Sequence, residues 1–94
     1  MDKTEAGEVL AKYLATYRER SYEALRQLVD APGATVEVIG PSGTRYQVEV
    51  QVFWDSARSA NLRVRGAIDD CGWQAIIPQI EDFIVAPDGS FVGE

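Results

Sequence analysis

Ninety-four residues with a net charge of −6 and an isoelectric point near 4.5 allow one domain with one modest core. The 46% hydrophobic content excludes a disordered chain, and the acidity argues against a general phosphate-binding surface for nucleic acid. Histidine is absent, which removes the commonest general base and metal ligand and, with them, every Ser/His or Cys/His catalytic arrangement.

The chain opens Met1-Asp2-Lys3-Thr4-Glu5, without the basic and then apolar pattern of a signal peptide. No apolar run approaches the ~20 residues that span a bilayer, so no membrane partner is expected. The single cysteine, Cys71, has no intramolecular partner for a disulfide, and the reducing cytoplasm is the expected compartment.

Asp2 with Glu5 three residues later has the spacing of a capping box, with Asp replacing Ser or Thr. Ala6, Val9, Leu10, Tyr13, Leu14, Tyr17, Ser21, Ala24, Leu25 and Leu28 then fall on one stripe at 100° per residue. The phase holds through Ser21, so one helix over 3–29 is predicted, ended by Pro32-Gly33. At 1.5 Å per residue it would be ~40 Å long. An eight-residue strand covers only ~27 Å. One end should overhang and expose Val9, Leu10, Tyr13 and Leu14, the predicted self-association site of a homodimer.

Thr35–Gly40 reads as the first strand, with Val36 and Val38 inward. Pro41-Ser42-Gly43 is a type I turn with a left-handed glycine, which pairs Val38 with Tyr46 and Val36 with Val48. Tyr46–Trp54 is the strongest segment. Tyr46, Val48, Val50, Val52 and Trp54 alternate with Gln47, Glu49, Gln51 and Phe53, the period of a half-buried strand inside a sheet. Asn61–Asp69 follows, with Leu62, Val64, Gly66 and Ile68 inward and Arg63 and Arg65 outward. The outward pair is expected near Glu49 and Gln51 across the ladder.

Asp69-Asp70-Cys71-Gly72-Trp73 reads as a second tight turn, pairing Gly66 with Ile76. Pro78 interrupts the next strand or places it at an edge. Ile80–Ala86 starts again, and Pro87-Asp88-Gly89 turns it back through Phe91-Val92. Gly43, Gly72 and Gly89 should each have positive φ. The expected fold is a single α+β domain, 1–94. One long N-terminal helix packs on an antiparallel meander of about four strands, followed by a short C-terminal hairpin. The order of a helix and then strands resembles the cystatin-type arrangement. The Gln-x-Val-x-Gly inhibitory loop of cystatins is missing, so protease inhibition does not carry over.

Phe53, Arg63, Arg65, Trp73 and Ile77 share odd-numbered positions on the outer sheet face, where polar residues are the norm. Aromatics with arginine are the composition of interface hot spots, so these five are the candidate partner-binding residues. The alternative is that Phe83, Val85 and Phe91 fold over this patch from the C-terminal hairpin. Asp69, Asp70, Glu81 and Asp82 are the candidate carboxylates for acid–base or metal chemistry, although their spacing matches no motif. The turn chemistry of Asp69 and Asp70 explains them without a site. Acidic neighbours in sequence should work against a thiolate at Cys71, the opposite of what a nucleophile needs, so a passive thiol is expected.

The leading expectation is a non-catalytic protein-interaction module with no cofactor, a cytoplasmic adaptor or regulatory subunit that self-associates. One alternative is an acidic inhibitor or immunity-type protein of a basic enzyme. The other is a metal-dependent hydrolase built on the carboxylates.

Overall fold

The computed structural model describes residues 1–56, 59–70 and 78–94. Its elements run α1 (Lys3–Arg18), α2 (Tyr22–Arg26), β1 (Ala34–Ile39), β2 (Arg45–Trp54), β3 (Leu62–Asp69) and β4 (Gln79–Val85). The four strands form one antiparallel sheet in the order β1-β2-β3-β4, so each strand pairs with its sequence neighbour. The long N-terminal helix α1 packs on one face of that sheet, which makes the fold α+β. Among the described residues no helix is long and apolar enough to cross a membrane.

The predicted helix over 3–29 is divided in two. Arg20 N–H donates to the Tyr17 carbonyl at 3.1 Å, which tightens the last turn of α1. Ser21 then takes an extended conformation and caps α2, its Oγ accepting from Ala24 N–H at 3.1 Å. The stripe survives the break because α2 returns Leu25 to the core at 1% exposure. The length argument for an overhang fails with it. A 16-residue α1 spans ~24 Å, less than the ~34 Å of a ten-residue strand such as β2.

Leu10 and Leu14 are therefore buried in this chain, at 0% and 2% exposure, and are not available to a second copy. Val9 and Tyr13 remain half-buried at the margin of the core.

Strand parity follows the sequence. Tyr46, Val48, Val50 and Val52 of β2 and Leu62, Val64 and Ile68 of β3 are buried against the helices. Trp54 departs from this pattern at 42% exposure, at the end of β2 opposite Leu62. The first turn forms as expected: Gly43 has φ 86°, Gly40 pairs with Thr44, and Val38 and Val36 face Tyr46 and Val48. Gly89 has φ 88° in the last turn, while Gly72 lies outside the described residues.

The β3–β4 pairing differs from the expected tight turn. Gly66 faces Glu81 rather than Ile76, and Ile68 faces Gln79. Ile76 lies outside the described residues. The observed register places Phe83 opposite Val64 and Val85 opposite Leu62, burying both at 3% and 2% exposure. Burial of those two large side chains rewards this register.

Gly66 sets how close α1 can come. A Cβ there would lie 2.8 Å from Leu10 Cδ1 and 3.0 Å from Leu14 Cδ2. The bare backbone lets both leucines rest on β3. As a result α1 lies over β3 and β4, and α2 lies over β2 and β3. The inner face of β1 is left with partial cover, and Val36 and Val38 are only half-buried.

Candidate functional site: an open strand edge and its groove

The partial cover of β1 leaves a groove of about 600 Å³ between α1 and β1. Glu8, Val9, Lys12 and Tyr13 line the helix wall, and Val38 and Ile39 line the strand wall. Ile39 is 59% exposed.

The backbone of β1 completes the site. In an antiparallel pair, hydrogen-bonded and non-hydrogen-bonded positions alternate. Gly40 N–H donates to the Thr44 carbonyl at 2.8 Å, so Gly40 is a hydrogen-bonded position. Val38 and Val36 then also bond to β2. Thr35, Glu37 and Ile39 aim their N–H and C=O groups away from the sheet. Among the described residues nothing pairs with that side of β1.

The groove end is anchored by Glu5. The second half of the predicted capping box does not form: Asp2 accepts from Glu5 N–H at 3.0 Å, but the Glu5 carboxylate reaches across to the β1–β2 turn. It accepts from Tyr46 Oη at 2.6 Å, from Ser42 Oγ at 2.7 Å and from Ser42 N–H at 3.0 Å. These donors, the tyrosine first, hold the Glu5 carboxyl below its ordinary pKa. The same carboxylate, together with burial, pushes the Tyr46 phenol up to about 12. Helix start, turn and β2 are thereby fastened at one point.

The predicted outer-face site is partly described. Arg63 donates to Asp55 Oδ1 at 3.0 and 2.8 Å and to Asp82 Oδ2 at 2.9 Å. Those two carboxylates, Asp55 first, raise its pKa. Arg65 stacks 5.1 Å from the centre of the Phe53 ring and lies 3.9 Å from Asp82. Across the ladder Arg65 faces Gln51 as expected, but Arg63 faces Phe53 instead of Glu49. Trp73 and Ile77 lie outside the described residues.

Phe83, Val85 and Phe91 do not fold over this face. They pack on the helix side, where the Arg18 guanidinium sits 4.5 Å from the Phe83 ring centre and 4.8 Å from that of Phe91.

The four candidate carboxylates are spread along the β3–β4 ladder. Asp82 faces Arg65 and Glu81 faces Gly66, whereas Asp69 lies three residues further along β3, ~10 Å away at the strand rise. Asp70 Oδ2 lies 3.8 Å from the Met1 ammonium. Among the described residues, no group of three or more acidic or thiol side chains is placed to hold a metal ion. Cys71 is outside the described residues.

Sequence reasoning missed the groove. The available signal was Gly66, a residue without a side chain at an inward position of β3, which lets α1 settle on β3 and β4 and leaves β1 with partial cover. Comparison with known proteins finds no matching family, no similar curated protein and no similar solved structure.

Proposed function

We propose that this chain is a non-catalytic protein-interaction module that takes up an extended polypeptide segment along β1. One observation carries the reading: a row of backbone groups at Thr35, Glu37 and Ile39, unpaired among the described residues, runs beside a largely apolar groove. An added strand would gain main-chain hydrogen bonds from the edge and specificity from side chains placed in the groove. The sequence of β1, Ala-Thr-Val-Glu-Val-Ile, suits this role, because it is β-branched and carries a single charge. An adaptor or regulatory subunit fits such a surface.

The test is a pull-down from native lysate with two baits, wild type and Glu37→Pro. The Glu37 N–H points to the open edge, so proline there removes the docking surface without removing a bond to β2. Proteins retained by wild type and lost from the Glu37→Pro bait are the expected result. Identical sets on both baits, with a wild-type bait that is itself monomeric, would refute the reading.

A further inference from the structure

We infer that the segment taken up along β1 is β1 of a second copy, so that two sheets join edge to edge about a two-fold axis. The inference rests on the interaction reading above and goes further by naming the occupant. Three features of the edge are self-complementary.

The first is hydrogen-bond parity. Thr35, Glu37 and Ile39 face outward, so an antiparallel copy must oppose odd positions to odd positions. Three central registers satisfy this, and they place Val36, Glu37 or Val38 on the axis.

The second is charge. With Glu37 on the axis, two like charges are directly opposed, which is destabilising. With Val38 on the axis, Thr35 meets Pro41 of the other copy, which has no N–H to donate. With Val36 on the axis, Glu37 lies opposite a Thr35 hydroxyl, a donor for the carboxylate. Both Thr35–Glu37 pairs then exchange their two backbone hydrogen bonds.

The third is shape. In the Val36 register, Ala34 of the second copy faces Val38, and its Gly33 faces Ile39. Ala31, Pro32, Gly33 and Ala34 are all exposed in the single chain. These small residues then enter the mouth of the groove that Val9, Tyr13, Val38 and Ile39 line. Val36 meets Val36 across the axis on the inner face, which extends each core into the other.

The experiment has two parts. Light scattering across micromolar concentrations should give a wild-type mass approaching two chains. Glu37→Pro should give one chain with an unchanged circular dichroism spectrum, and its melting temperature should lose the dependence on protein concentration that a wild-type dimer shows. Cysteine variants in a Cys71→Ser background then read the register. Val36 would be a non-hydrogen-bonded pair with itself, with Cα atoms about 4.5 Å apart, within disulfide reach. The two Val38 Cα atoms would be ~13 Å apart, four residues along the ladder.

Val36→Cys should therefore oxidise to a covalent dimer, and Val38→Cys should not. A wild-type mass of one chain at every concentration overturns the inference. So does a dimer that persists in Glu37→Pro, or one that crosslinks at Val38 and not at Val36. If the wild type is monomeric yet its lysate partners are lost with Glu37→Pro, only the second copy is eliminated and the interaction reading stands.

Discussion

The two edges of the sheet begin from similar chemistry and end differently. β4, like β1, is short and rich in β-branched and aromatic residues. The chain turns back at Gly89 and guards the C-terminal half of β4. Val92 N–H donates to the Ile84 carbonyl at 2.9 Å, and Phe91 bridges Val85. Arg18 locks that return by stacking on Phe83 and Phe91 and donating to both Glu94 carboxylate oxygens at 2.8 and 2.9 Å. The N-terminal half of β4 bears Glu81 on the helix side, an inward charge that blocks strand addition.

Among the described residues β1 has neither device. Its single charge, Glu37, points to the outer face and is matched by Arg45 at 3.3 Å. Sheet edges left open are a liability that folded proteins otherwise manage. The contrast is that the C-terminal part of β4 is guarded by the returning chain, whereas among the described residues no segment guards β1.

The strongest way to break the contrast is Phe83→Ala. It removes the ring on which Arg18 and Phe91 rest and leaves a cavity in the core. Denaturant titration should show a loss of about 3–5 kcal/mol, the usual cost of truncating a buried phenylalanine. A loss under about 1 kcal/mol, the scale of surface substitutions, would mean that the closure of β4 does not depend on this packing.

Arg18→Ala tests the lock itself. Stacking and an exposed ion pair together contribute about 1 kcal/mol. Global stability should fall by that amount, and amide exchange at Val92 should speed up by more than the global loss explains. Equal acceleration at Val92 and in β2 would make Arg18 a general contributor with no special place at this edge.

The smallest effect concerns the anchor at the end of β1. The Glu5 carboxyl has a depressed pKa in the folded chain, so its contribution is fully present above its ordinary value of 4.5. That contribution is lost as pH falls through the lower folded value. The Tyr46 phenol is raised, so its share is intact below pH 10 and lost as pH rises through about 12. The melting-temperature difference between wild type and Glu5→Gln should therefore be flat from pH 6 to 9 and shrink in acid. A difference that persists undiminished far below pH 4.5 would assign the effect to shape rather than to the ionised carboxylate.

Most of the sheet was legible because its determinants are local. Gly43 fixed the first turn, the turn fixed Val38 opposite Tyr46, and alternation carried the buried face through β2 and β3. The β3–β4 register was not legible in the same way. A tight turn around Gly72 satisfied the local rules, but the choice belonged to Phe83 and Val85, whose reward comes from contact with a helix distant in sequence. The helix break was concealed because Ser21 fell on the apolar stripe and looked like a small core position instead of a cap.

The break removed the expected overhang, so the self-association residues read from the sequence were half displaced. Leu10 and Leu14 turned inward, while Val9 and Tyr13 stayed at a surface.

The seating of α1 on β3 and β4 also has a consequence for synthesis. The helix leaves the ribosome before the sheet, and its docking surface is complete only when β4 has emerged. Roughly 70 residues separate Leu14 from the end of β4, which at common elongation rates is several seconds of waiting. Until β3 emerges Leu10 and Leu14 have no strand to rest on, and until β4 emerges the cover stays incomplete. The nascent chain must therefore carry an apolar stripe without its full cover until β4 emerges, and a holdase that binds such helices would meet this protein before its fold exists.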